Sequence, residues 1–305
     1  LLTNTTRDST INNNGGVIRG NISGTATNQV INFNSADGQV VGDISFKGVI
    51  NVNASATIIG TIDGNSQAVI NMNGQLLNVG ALKNISILSA PGSSTINFNE
   101  SSAFDENLII GDANSKIGIA NFNSTNPVNK QTYTFGGNNI LHANSANFYE
   151  GSILNVDNDV LLDAQTKIKR GGEILLAASN VSLDSLGGFI LETGSLINTS
   201  LNSTNNLAGN IKTDGIAIIE DGAKLSFTLD SKATKQEINN FIGKEFVIAQ
   251  GNENSQISNI EDENLSSIDG INEGQATTLN RYKSLVASTF VKNNQLILTF
   301  VLYRS

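Results

Sequence analysis

The sequence predicts an all-β chain wound as a parallel β-helix, a solenoid of about 20–26 residues per coil, and three observations carry that prediction. The first is a unit that keeps returning. Val30–Asn34 reads Val-Ile-Asn-Phe-Asn, with close copies at Ile50–Asn53, Ile70–Asn73, Ile96–Asn99 and Ala120–Asn123, a weaker one at Ala146–Tyr149 and an earlier echo at Ile11–Asn14. Copies start about 19 to 26 residues apart, and a repeat of that length marks a solenoid, whose units bury their apolar sides by stacking on one another. The second is that each unit divides into two or three short apolar segments broken by Gly, Asn, Asp or Ser, as one coil of a β-helix requires. The third is composition. Of the 305 residues 39% are hydrophobic and only 15% charged, against about a quarter in ordinary domains. Aromatics make up 6% and Trp is absent, which suits a narrow interior of Ile, Val and Leu.

Within the unit, Ile31-Asn32-Phe33-Asn34 alternates apolar and polar residues, so Ile31 and Phe33 point inward and Asn32 outward. Asn34 ends the strand at a tight corner, where Asn tolerates the left-handed conformation. Stacking the copies predicts an inner column of Ile31, Ile50, Ile70 and Ile96 and, beside it, one of Phe33, Val52, Met72, Phe98 and Phe122. The same alignment predicts a corner column of Asn34, Asn53, Asn73, Asn99 and Asn123, whose amides bond from coil to coil. Further segments fill out each coil. Val40-Val41-Gly42, Ile58-Ile59-Gly60, Leu76-Leu77-Asn78 and Ile109-Ile110-Gly111 are second strands, and Ile44-Ser45-Phe46, Ile62 and Ile85-Ser86-Ile87 are third ones.

After about residue 150 the Asn unit fades, but short apolar strands continue from Ile153–Val156 to Leu225–Leu229, with corners at Gly171-Gly172, Gly187-Gly188 and Asp221-Gly222. The solenoid is therefore assigned to residues 1–230, and residues 231–305 to a C-terminal capping region that continues it. In that region Ser231–Ile242 is the best helix candidate, Glu245–Ala249 a strand, Glu253–Gly274 an acidic stretch without periodicity, and Leu285–Phe290 and Gln295–Tyr303 two closing strands. A solenoid leaves raw strand edges at its ends, which a terminal module of different character would cover.

A net charge of −9 and a pI near 4.6 argue against nucleic acid and against anionic membrane surfaces. No apolar run is long enough to span a membrane, so membrane insertion by this segment is not expected. With no Cys there is no disulfide framework, thiolate metal site or Cys nucleophile. The opening Leu1-Leu2 and the single Met72 predict a fragment or a processed form.

No catalytic, cofactor or metal site is predicted. His142 is the only histidine, so any His-based chemistry would rest on it alone, and a plain surface or corner role is the simpler reading. Asp157, Asp159 and Asp163 form an Asp-rich stretch that suggests calcium but lacks a full ligand loop, so a solvated turn is expected. Lys167, Lys169 and Arg170 are the densest basic cluster; alternation puts both lysines on one outer face, as charged surface or as a contact for glycan or acidic lipid. Glu261-Asp262-Glu263 reads as a solvated loop, and sequons such as Asn84-Ile85-Ser86 and Asn123-Ser124-Thr125 are expected by chance in so Asn-rich a chain.

The Asn-rich coils, together with Gly243–Ala249 (GKEFVIA) and Val291–Phe300 (VKNNQLILTF), resemble the passenger of a type V autotransporter, in particular the rickettsial surface cell antigen group, outer-membrane protein B-like. The resemblance implies a right-handed parallel β-helix, an autochaperone-like C-terminal module and export through a C-terminal outer-membrane β-barrel translocator lying outside these residues. It implies display at the bacterial cell surface or release from it, and adhesion to a host-cell receptor with no enzyme activity. A β-helical toxin passenger is the alternative. A carbohydrate-active enzyme of the same fold would need paired carboxylates in a groove, and no consistent spacing supplies them.

Overall fold

The computed structural model of the chain describes residues 2–4, 8–74, 76–89, 92–104, 109–124, 128–135, 140–229, 240–261, 265, 277–280 and 283–304. Among these, every regular element is a β-strand and none is a helix. The chain coils as its alternation requires. Thr10–Asn13, Gly16–Arg19 and Ile22–Gly24 lie on three successive faces, and Val30–Phe33 returns to the first. From there to Gln256–Ile257 the strands pair in parallel from coil to coil, apart from Leu207–Ala208, which lies antiparallel to Leu196–Asn202, and this makes the protein a parallel β-solenoid.

Rows of buried residues run through the interior. On the first face Ile31, Ile50, Ile70, Ile87, Ile110, Leu141 and Leu162 follow in register. On the second, Val40, Ile58, Val79, Phe98, Phe122, Phe148, Ile168, Leu191 and Ile219 do the same, ending at the partly buried Ile257. The third face changes sheets. Its early strands join the main sheet through Ile22, Ile44, Ile62 and Leu82, whereas from Ser102–Phe104 onward a second sheet runs through Phe135, Val156, Leu176, Thr199 and Phe227. These rows belong to one continuous apolar core.

The repeated unit does not keep to one column, which corrects the alignment drawn from the sequence. Ile31, Ile50 and Ile70 share the first face, but the next residue in that row is Ile87, and Ile96 pairs with Leu77 and Ala120 on the second face. The Phe column divides likewise into Phe33, Val52 and Met72 on one face and Phe98 and Phe122 on the other. The reason is the shortest coil. Strand Leu76–Ser89 turns through all three faces in 14 residues, so the unit at Ile96 arrives one face late. Ile85-Ser86-Ile87 thus lies on the first face rather than the third. Alternation is satisfied on either face, and the unit alone cannot say which one it occupies.

Past residue 150 the parallel register continues, and the corner changes its chemistry. Tyr149–Ser152, Lys169–Gly172, Glu192–Ser195 and Glu220–Ala223 each close with the fourth N–H donating to the first carbonyl, at 2.9, 2.8, 2.9 and 3.1 Å. Their third residues, Gly151, Gly171, Gly194 and Gly222, have φ of 78°, 76°, 78° and 81°, the left-handed value that a type II turn demands at that position.

The last coil ends differently. Glu245–Gln250 pairs in parallel with Asn210–Lys212 through Ile211 and Ala249, and its other edge is taken by the antiparallel strand Gln295–Arg304. Lys283–Lys292 completes a hairpin with that strand across Asn293 and Asn294, both at positive φ of 52° and 59°, as a two-residue type I′ turn requires. Phe227, Phe241, Phe246 and Phe300 pack together beneath it. The expected helix at Ser231–Ile242 lies outside the described residues except for Asn240–Ile242, which form a turn and an isolated bridge.

Candidate functional site

The outer surface carries two kinds of rung-to-rung tie. In the N-terminal coils they are amides. On the first face the Nδ2 of Asn32, Asn51 and Asn71 each donates to the Oδ1 of the Asn one coil earlier, at 2.8, 2.8 and 3.0 Å, a series that starts from Asn12. A second ladder at the corner links Asn14, Asn34, Asn53 and Asn73 at 2.9, 2.8 and 3.0 Å. After the change of face, a ladder on the second face joins Asn78, Asn97, Asn121 and Asn147 at 2.7, 2.8 and 2.9 Å. Asn123 bonds to Asn99 at 3.2 Å, but Asn99 turns to the carbonyl of Val79 and not to Asn73. The expected corner column is therefore two separate ladders.

Further along, the ties are ion pairs. Among the described residues these begin at Lys116, with Lys116–Asp163 at 2.5 Å, Lys130–Glu173 at 2.7 Å, Lys169–Glu192 at 2.5 Å, Lys212–Asp184 at 3.9 Å and Lys292–Glu245 at 3.6 Å. The densest group is Lys116, His142 and Asp163. Asp163 sits in strand Val160–Ile168 next to Ile140–Phe148, so that His142 and Asp163 are cross-strand partners. His142 Nδ1 lies 2.8 Å from Asp163 Oδ2, while Lys116 holds Oδ1. Burial pushes the Asp163 pKa up, but the hydrogen bonds from Lys116 and His142, with their charges, outweigh it and hold the carboxyl below its usual range. His142 is therefore no plain surface residue: its side chain is 15% exposed and committed to a carboxylate. Asp184 moves the other way, because burial dominates over the attraction of Lys212 and Asp214 adds repulsion.

The remaining candidates do not converge. Asp157 and Asp159 are exposed, and Asp159 accepts from the backbone N–H and hydroxyl of Ser182. Asp163 lies apart from them, tied as above. Among the described residues, no group of three or more His, Asp and Glu is placed to hold an ion. Lys167 and Lys169 flank buried Ile168 and face outward; Lys169 pairs with Glu192, and Arg170 is exposed at its corner. Glu261 is exposed, and Asp262 and Glu263 lie outside the described residues. Asn84 and Asn123, the heads of two sequons, bond to Asp63 and Asn99.

Nothing in the local sequence marks Lys116. It meets Asp163 only because the coils bring residues of strand-distant segments together, and no local pattern marks that pairing. Inside, Tyr133 is fully buried, and its hydroxyl donates toward the carbonyls of Asn123 at 2.6 Å and Phe98 at 3.0 Å. Burial raises its pKa well above the ordinary phenol value, so it remains a neutral structural donor. No protein-family model matches the chain, and no curated protein sequence matches it significantly.

Proposed function

We propose that this solenoid is the passenger of an autotransporter, a rigid stalk without catalytic function that is displayed at the bacterial cell surface, or released from it, and adheres to host cells. The observation that supports this reading best is the stack of parallel rungs from Thr10 to Ile257, with outward side chains tied from rung to rung. Such a stack offers a long, regular outer surface for contact, and because strand pairing joins each coil to its immediate neighbours, it can fold progressively as it emerges from an outer-membrane β-barrel. A chain without Cys crosses such a pore with no disulfides to form prematurely. The hairpin on the outer edge of Glu245–Gln250 suits a closing, autochaperone-like module.

Two measurements test the proposal. Beads coated with the purified chain should bind cultured host cells saturably and be displaced by soluble chain; binding no greater than that of albumin-coated beads contradicts the adhesive role. Protease added to intact bacteria making the complete protein should remove this region. Protection of the region until the cells are lysed contradicts surface display.

A further inference from the structure

The copy of the repeated unit at Ala146–Tyr149 differs from the copy one coil earlier, Ala120–Asn123, at a single residue: its corner carries Tyr149 in place of Asn. That exchange stops the corner ladder. Asn123 donates to Asn99 at 3.2 Å, but the rung after it brings no amide, and no donor among the described residues reaches Asn123 Oδ1. The ring is not spent on the core either. Phe148 beside it is fully buried, whereas Tyr149 is 38% exposed and is the one exposed aromatic among the described residues. The next two corners along the column carry Lys169 and Glu192, paired at 2.5 Å. From Asn123 past Tyr149 to Lys169 is two rungs, roughly 10 Å at about 4.8 Å each.

We propose that Tyr149 is the platform of a carbohydrate subsite, on which an uncharged pyranose stacks, its hydroxyls donating to Asn123 Oδ1 on one side and exchanging hydrogen bonds with Lys169 and Glu192 on the other. The chemistry of the column selects the ligand. A pyranose offers an apolar C–H face to the negative face of an aromatic ring, and its rim of hydroxyls both donates and accepts. On one side of Tyr149 stands an open acceptor, and on the other a cation and a carboxylate together supply donor and acceptor. Charge argues against an anionic ligand. Lys169 is neutralised by Glu192, and Arg170 has Glu150 at the matching corner one rung earlier, which leaves Lys167 on a chain of net charge −9. Asn123 is held by Asn99 and Lys169 by Glu192, so little side-chain freedom is lost on binding. One ring on an open corner buries little of a sugar, so a dissociation constant on the order of 1 mM is expected for a monosaccharide. The proposal gives the adhesive reading a ligand class and rests on it for its use at a cell surface, yet the two fail separately, because sugar binding is measured on the purified chain without cells.

Tyrosine-ring NMR of the purified chain, titrated with the methyl glycosides of glucose, galactose, mannose and N-acetylglucosamine to about 20 mM, tests it. At least one of these should shift the Tyr149 ring signals saturably. Tyr149→Asn restores the usual unit and lets the ladder continue, so it should remain folded by circular dichroism and urea unfolding while saturation-transfer NMR shows binding weaker by about tenfold or more. Tyr149→Phe, which keeps the ring, should bind within about threefold of wild type, and Ile59→Ala, exposed on the same face in an early coil, should change nothing. No shift of the Tyr149 ring with any glycoside, undiminished binding by Tyr149→Asn, or tighter binding of sialyllactose or a heparin oligosaccharide than of every neutral sugar overturns the proposal. Any of these results beside intact attachment of coated beads strikes the subsite and leaves the adhesive role standing.

Discussion

The side chains that most distinguish this solenoid are polar residues spent on tying one coil to the next. Asn51 both donates to Asn32 and accepts from Asn71, so Asn51→Ala should cost about 1–2 kcal/mol, as expected for two partly exposed hydrogen bonds. Urea unfolding measures this. Asp163 anchors Lys116 and His142, and its folded-state pKa lies below the unfolded one. Its contribution is therefore present above the unfolded value of about 3.9 and is lost as pH falls through the folded pKa. Asp163→Asn should destabilise the protein at pH 7 by roughly 1 kcal/mol, since the pairs are partly exposed, and the difference from wild type should shrink towards pH 2. A difference that does not change with pH contradicts this account of Asp163.

At the scale of the strand, much was legible in the sequence because alternation has a single physical meaning: Ile31, Phe33, Ile50 and Val52 are all buried as it requires. The closing strands were legible for a different reason, their β-branched and aromatic residues. What could not be read was which face a unit would take, because that depends on the length of the preceding coil, and Leu76–Ser89 is unusually short. Lys116 and Asp163 were hidden for a related reason: pairing across coils leaves no trace in local spacing. The change of face puts Phe122 between Phe98 and Phe148, with ring centroids 4.9 and 4.4 Å away and planes nearly parallel. Phe122→Ala should cost about 3–5 kcal/mol, the usual range for emptying such a site, and Phe122→Leu clearly less. Equal effects in thermal unfolding would contradict this, because Leu refills much of the volume that Ala leaves empty.

For the whole molecule, the first coils and the closing hairpin should differ in what they support. Leu296 and Leu298 are both fully buried, on the strand that takes the outer edge of Glu245–Gln250. A charge there is costly, and if the hairpin secures the last rung, Leu298→Asp should expose residues 100–230 to limited proteolysis, whereas Ile31→Asp should fray only the first coils. Equal resistance of that region in both variants contradicts a templating role. The central claim, parallel rungs in which the repeated unit changes face, has a more direct test, because the chain has no Cys of its own. Neighbouring rungs lie about 4.8 Å apart, within the Cα separation of about 4.4–6.8 Å that a disulfide tolerates. Cysteine pairs at Asn53 and Asn73, and at Asn99 and Asn123, should therefore cross-link on mild oxidation, and a pair at Asn73 and Asn99 should not. Efficient cross-linking of Asn73→Cys with Asn99→Cys, on a folded chain, would restore a single unbroken Asn column and contradict the register described above.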